Sequence, residues 1–312
     1  MTISVLRTAD GWWVQTPAGA TRIVTSAVTT GELLADRTAV EAAVTREADT
    51  VPVASLQLLS PVTAPCRVIA QMTNFSSHVR DSGMDPARIP LTFFRKSSAS
   101  IGGPFADVVK PAHVRLLDYE VEIGLVIGRQ IPVGTTIDGA NLAEYVGALV
   151  VTNDVSARDV QLPQTQFYEA KSYPTFTPVG PALVLLTAAE LARFDELRLR
   201  LRVNGQLRQD MLVGTDMIYR PVQALEALTR FQDLSAGDLI LTGTPVGTAL
   251  SAPSKLVQLL GSLLPEPVKW KAFFARQAAN PKYLRDGDVI EATVATDDRA
   301  IDLGVQRNAV RY

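Results

Sequence analysis

After residue 66 the chain is a succession of short apolar or β-branched runs bounded by Gly, Pro, Asn or Asp. The runs at 67–70, 121–127, 148–152, 182–186, 197–203, 238–242 and 289–294 each read as a strand. Asn204-Gly205, between two β-rich runs, suits a two-residue hairpin turn. Helical patterns are few. One lies around 139–146 and another over 221–231, where Pro221 fits a first helical turn. Strands outnumber helices and do not alternate with long ones. That argues against a doubly wound sheet or a TIM barrel and predicts an α+β, strand-rich fold of mixed β-roll or barrel-like type.

Residues 1–60 read as a small α/β unit of their own. Two strands, 3–7 and 12–15, flank the turn Ala9-Asp10-Gly11, and Leu33, Leu34, Val40, Ala43 and Val44 mark a helical stretch. Pro61 and Pro65 then interrupt any regular element and mark a linker, with the main domain running from 61 to 312. A helical insertion is expected over about 250–285. Leu256, Leu259, Leu260, Leu263 and Leu264 form a stripe at helical spacing, and Lys269, Trp270, Lys271, Phe273 and Phe274 come after it. It is expected to pack on the body of the protein or on a second subunit rather than on a membrane surface.

The composition narrows the function classes. Thirty basic and 32 acidic side chains leave a net charge of −2, which argues against a generally basic nucleic-acid binder. No run approaches the roughly 18 apolar residues of a membrane helix. The N-terminal stretch lacks the apolar core of a secretion signal, and Cys66 has no partner for an internal disulfide; both point to the cytoplasm. With only His78 and His113 besides that cysteine, a His/Cys zinc site is nearly excluded, so any metal must be held mostly by carboxylates.

Carboxylates are well placed for that. Glu120 and Glu122 stand two apart beside an apolar run, on one face of a strand and about 6.6 Å apart along it. Asp118 shares the face. Such a row either faces water at a solvated edge or shares a cation. The apolar run ending at Val151 passes directly into Thr152, Asn153, Asp154, Ser156, Arg158 and Asp159, polar groups that must be paired or used if buried. Glu120, Glu122 and Asp154 together would suit a hard divalent cation with open positions for water or substrate oxygens.

Several stretches, taken in order, resemble the fumarylacetoacetate hydrolase family. They are Asp-Tyr-Glu-Val-Glu-Ile-Gly-Leu-Val-Ile-Gly (118–128), Asn-Asp-Val-Ser-Ala-Arg-Asp-Val-Gln (153–161), Lys171, Phe-Thr-Pro-Val-Gly-Pro (176–181), Val-Asn-Gly (203–205), Gly-Asp-Leu-Ile-Leu-Thr-Gly-Thr-Pro (237–245) and Gly-Asp-Val-Ile-Glu (287–291). The resemblance implies Glu120, Glu122 and Asp154 as ligands of Mg²⁺ or Mn²⁺, with Ca²⁺ an alternative, and a homodimer. It implies a water-activating pair, His78 and Asp81, on a mobile lid containing Gly83, Pro86 and Pro90. Here Phe75 stands for the usual Tyr, and Asp81 for the usual Glu. It further implies Arg158, Gln161 and Thr244 as substrate contacts and Lys171 as a stabiliser of developing charge. Lys96 falls in a family-like run without an assigned role, and His113 reads as a surface or structural residue. The expected activity is hydrolytic C–C cleavage of a 2,4-dioxo acid. The alternative is a decarboxylase, tautomerase or hydratase-like enzyme working on a 2-oxo dicarboxylic acid through an enolate.

Overall fold

The computed structural model describes residues 2–46, 50–164, 167–250 and 265–312. Its centre is a nine-stranded sheet. The strands lie in the order Gly19–Arg22, Gly11–Thr16, Ile3–Thr8, Leu183–Leu185, Val146–Asn153, Val121–Ile127, Leu239–Leu241, Val68–Gln71 and Phe93–Lys96. All neighbours are antiparallel except Leu239–Leu241 and Val68–Gln71, which run parallel. The sheet keeps two free edges, so it is open rather than a closed barrel. A second, five-stranded sheet contains the hairpin Leu197–Val203 and Gln206–Leu212, then Val289–Thr296, Asp302–Arg311 and Val108–Val109. The hairpin turns at Asn204 and Gly205 with φ of 51° and 78°, the left-handed pair that a tight turn of this type requires.

The strand-rich architecture is the one the pattern predicts, but the first 60 residues are not packed as a unit apart. Ile3–Thr8 pairs with Leu183–Leu185 and so extends the large sheet. Val5, Val14, Leu33 and Val40 share one apolar layer with Val68, Val126, Val150 and Leu239. The expected helical stretch is two short helices, Thr30–Ala35 and Arg37–Val44, separated by Asp36. Thr29 and Glu32 form a reciprocal capping box at the first of them.

The middle of the large sheet is buried on both faces. This explains the uninterrupted apolar runs where a half-exposed strand would alternate. Gly124 belongs to this close packing, since a Cβ there would lie 2.6 Å from Val150 Cγ2 and 2.8 Å from Leu239 Cδ1. The leucine stripe at 256–264 lies outside the described residues. The next described element is a helix, Glu266–Ala278, whose Phe274 packs against the core and whose Gln277 is buried. No described helix is long and apolar enough to cross a membrane.

Candidate metal centre

Two neighbouring strands build the centre. Val121–Ile127 and Val146–Asn153 pair antiparallel, with Thr152 opposite Glu122 and Asn153 opposite Val121. The pairing continues past the strand ends, where Asp154 N donates to Glu120 O and Glu120 N to Asn153 Oδ1, both at 2.8 Å. Carboxylates about thirty positions apart in sequence are thereby brought together. Glu120, Glu122 and Asp154 are all buried, and one oxygen of each lies within 4.8 Å of the others. A solvated edge is therefore not their setting, and the shared-cation alternative is the one the geometry accommodates.

Their partners are cationic. Lys171 Nζ donates to Glu120 Oε2 and to Asp154 Oδ2, each at 2.6 Å. Lys96, fully buried at the sheet edge, donates to Asp154 Oδ1 at 2.6 Å and to Phe176 O at 2.9 Å. Arg158 Nη2 bonds Glu120 Oε1, its Nε bonds Asp118 Oδ2 at 2.8 Å, and its Nη1 bonds Gln161 Oε1 at 2.8 Å. Four buried carboxylates, Asp118 included, thus face three buried cations. One negative charge is left over.

Glu122 carries that excess. Its only hydrogen bond among the described residues comes from Gly243 N at 2.6 Å. Burial, then the charges of Asp154 and Glu120, push its carboxyl well above the usual range. Glu120 goes the other way: burial alone would raise it, but Arg158 and then Lys171 hold it below that range. A buried ligand set with an unbalanced charge and a carboxylate oxygen left unpaired fits a divalent cation. Gly243 has a φ of +86°, and a Cβ there would meet Asn74 Cβ at 2.8 Å. The turn can hold Glu122 only while this position stays glycine.

His78 lies on the helix Ser76–Asp81, near enough to Glu120 and Lys171 for their charges to act on its ring. Burial, the dominant effect, lowers its basicity. Its Nδ1 is buried without a hydrogen-bond partner. The expected pair with Asp81 is not formed: no hydrogen bond or ion pair joins the two side chains among the described residues. Asp216 anchors the helix instead, accepting from Ser77 N at 2.9 Å and from Ser77 Oγ. The following segment, expected to be a mobile lid, is tied as well, since Tyr219 Oη donates to Ile89 O at 2.6 Å.

The expected substrate contacts are partly committed to the protein. Among the described residues three of the five N–H bonds of Arg158 are used internally, and its side chain is only 4% exposed, so it braces Glu120 and Gln161 rather than standing free for a substrate carboxylate. Because Arg158 can only donate, it fixes Gln161 with its oxygen inward, and the NH₂ has no hydrogen-bond partner among the described residues. Thr244 Oγ1 donates to Val121 O at 2.9 Å and accepts from Gln209 Nε2 at 2.8 Å. Its hydroxyl therefore locks the 242–245 turn onto the Glu122 strand.

Gln209, Asn74, Asp216 and Lys96 are the contributors that sequence reasoning missed or left without a role. Lys96 alone carried a signal, its place in the family-like run Phe93-Phe94-Arg95-Lys96-Ser97. His113 bonds Tyr173 Oη at 2.8 Å on an exposed face and makes no hydrogen bond to the acidic cluster among the described residues. Burial pushes the Cys66 thiol up to about 12, so it holds little of the reactive thiolate.

A family model described as fumarylacetoacetate (FAA) hydrolase, C-terminal, matches residues 67–311, a span that contains every residue of this centre. The chain belongs to the fumarylacetoacetate hydrolase family. Among this family's proteins, the rat mitochondrial oxaloacetate tautomerase Fahd2a is 33% identical over 201 residues, covering 64% of this chain. The chain spans 62% of the length of that relative. Oxaloacetate tautomerase YisK of Bacillus subtilis is 32% identical over 245 residues, 77% of this chain and 70% of that protein. A crystal structure of a probable 2-hydroxyhepta-2,4-diene-1,7-dioate isomerase from Mycobacterium abscessus superposes with a TM-score of 0.74 at 31% identity, covering 100% of this chain and 98% of that one. Fumarylacetoacetate hydrolase from Exiguobacterium antarcticum gives 0.70 at 27% identity, covering 99% of each chain.

Proposed function

We propose that this chain is a divalent-metal-dependent tautomerase or isomerase of a 2-oxo dicarboxylic acid, moving a proton between carbon and oxygen through an enolate. The observation that carries the reading is the centre itself: three buried carboxylates with one charge in excess, next to an imidazole that no carboxylate among the described residues orients. The tautomerases and the isomerase among its relatives support the same class.

A divalent ion held by Glu120, Glu122 and Asp154 would polarise the 2-oxo group and the neighbouring carboxylate of the substrate. The chain's own residues supply the rest. Burial keeps His78 neutral near pH 7, so its ring can take the proton from the carbon beside the 2-oxo group and hand it to the enolate oxygen, or carry it the other way. Gln161 offers its NH₂ to a substrate oxygen, its orientation set by Arg158. Lys171, held at 2.6 Å from two ligand carboxylates, places a positive charge beside the oxygen on which charge develops. Buried walls keep water from competing for that charge.

A hydrolytic C–C cleavage is the second reading. It is favoured by the position of Asp81, three residues after His78 on one helix, from which a change of side-chain rotamer could bring the two together. The test is incubation of oxaloacetate and of an acylpyruvate in D₂O with Mg²⁺, followed by proton NMR. Deuterium should replace hydrogen on the methylene carbon with every C–C bond left intact. An acid pair as product would replace the proposal by hydrolysis, and CO₂ by decarboxylation.

His78→Ala should lower the exchange rate by about 10²–10⁴, the usual worth of a positioned acid–base group. Mg²⁺ affinity should stay unchanged. A variant that exchanges at the wild-type rate would remove His78 from the mechanism.

A further inference from the structure

Asp118 is outside the ligand set, yet it is the most fully bonded carboxylate of the centre. It is fully buried, and four donors converge on it. Tyr119 N at 2.8 Å and Ala249 N at 2.7 Å reach Oδ1; Arg158 Nε at 2.8 Å and Leu250 N at 3.1 Å reach Oδ2. An ionised carboxylate has about four lone-pair sites, so none is left for a cation. Its influence must pass through its partners.

The guanidinium of Arg158 is a rigid planar fork. Asp118 holds the Nε edge and Gln161 accepts from Nη1, which sets the plane of the group and leaves Nη2 for one oxygen of Glu120. The second oxygen of Glu120 then stays with Lys171 on the side of the centre. Without Asp118, Arg158 is free to close on Glu120 with two parallel hydrogen bonds, the arrangement arginine favours with a carboxylate. Glu120 would then be drawn away from Glu122 and Asp154.

The remaining two donors tie Asp118 to a different part of the chain. Ala249 and Leu250 open the 250–285 segment, and the far end of that segment returns to the same place. Asn280 Nδ2 donates to Ala249 O at 2.9 Å, and Leu284 N donates to Leu117 O at 2.9 Å. Tyr283 and Leu284 are buried there, with Tyr283 Oη donating to Gln277 Oε1 at 3.1 Å. Both described flanks of the segment are thus bonded to residue 117, 118 or 249.

We propose that Asp118 is a positioning residue of the metal centre. It fixes Arg158, and through Arg158 the ligand oxygen of Glu120, and it holds the backbone of Ala249 and Leu250 beside the site. The proposal rests on Glu120, Glu122 and Asp154 as the ligand set and is independent of which oxo-acid reaction the centre carries out.

The experiment is a titration of the full chain with Mn²⁺, free ion being counted by its paramagnetic resonance signal, with no substrate present. Asp118→Asn should weaken binding by about 10–100-fold, as losing a partner behind a ligand commonly does. Saturating Mn²⁺ should then restore most of its turnover number. Asn280→Ala, which leaves every residue of the centre in place, should weaken binding in the same direction by a smaller factor. Wild-type protein that takes up no Mn²⁺ overturns the centre and this role with it. Variants that titrate like the wild type, or an Asp118→Asn turnover that saturating metal does not restore, overturn the role of Asp118 alone. Should Asp118→Asn fail to fold by circular dichroism, an unchanged affinity in Asn280→Ala is sufficient to overturn it.

Discussion

Glu122→Gln should abolish metal-dependent turnover while making the metal-free protein more stable. The two effects share one cause. Among the described residues Glu122 is the carboxylate of the centre without an ion pair, held by Gly243 N alone, and burial and its acidic neighbours raise its carboxyl well above the usual range. Glutamine keeps an oxygen for Gly243, drops the excess charge and removes a ligand. Activity should fall by at least about 10²–10³, the worth of one group that stabilises developing charge. Mn²⁺ uptake should fall with it.

The pH dependence has its origin in the same residue. A carboxyl that titrates higher in the folded chain makes the folded state bind more protons than the unfolded one. Metal-free stability should then decline as pH rises from about 4.3, the ordinary glutamate value, through the raised folded value. Glu122→Gln should flatten that decline, and a saturating divalent ion should oppose it. Urea melts of the metal-free protein across pH measure both. A variant less stable than the wild type at neutral pH would show that Glu122 is balanced by something other than a bound cation.

Glu120→Ala should have the opposite effect on stability, although Glu120 is two residues away on the same face. Its carboxylate is the shared partner of Arg158 and Lys171. Removal takes one of two carboxylate partners from each of these buried cations and leaves Arg158 Nη2 without its acceptor; breaking a buried pair in this way commonly costs about 3–5 kcal/mol. The metal-free variant should unfold at lower urea, and its activity should be lost along with the ligand. The linkage sign is also reversed. Glu120 titrates below the usual range, so its contribution is present above about pH 4.3 and lost as pH falls through the folded value. Equal stability of Glu120→Ala and wild type at neutral pH would rule out the ion-pair geometry described for Arg158 and Lys171.

The three ligand candidates were legible because their signals are local. Two acids at strand spacing, and an apolar run ending in polar residues, can be read without knowing what lies across the sheet. Lys171 entered only through the family likeness, and the same likeness placed Arg158 on the substrate. Its commitment to Asp118, Glu120 and Gln161 depends on residues up to forty positions away meeting at one point. Gln209 is less legible still. A glutamine in a hairpin strand gives no hint that it braces Val121 N and Thr244 Oγ1 from 88 and 35 residues away. The pairing of His78 with Asp81 shows the converse. Helical spacing permits it, but the folded chain leaves the ring without that partner and fastens the helix through Asp216.

By itself the sequence determined the strand-rich class, the position of most strands, the Asn-Gly hairpin and the acidic side chains able to hold a hard cation. These come from alternation, turn chemistry and residue type over a few neighbouring positions. Only the tertiary structure decided that residues 1–60 complete the main sheet, that Lys96 and Asp118 belong to the centre, and that one carboxylate is left without a counter-charge. Each of these is a sum over groups distant in sequence. Burial makes such sums matter, because a charge removed from water must be balanced by whatever the fold brings beside it.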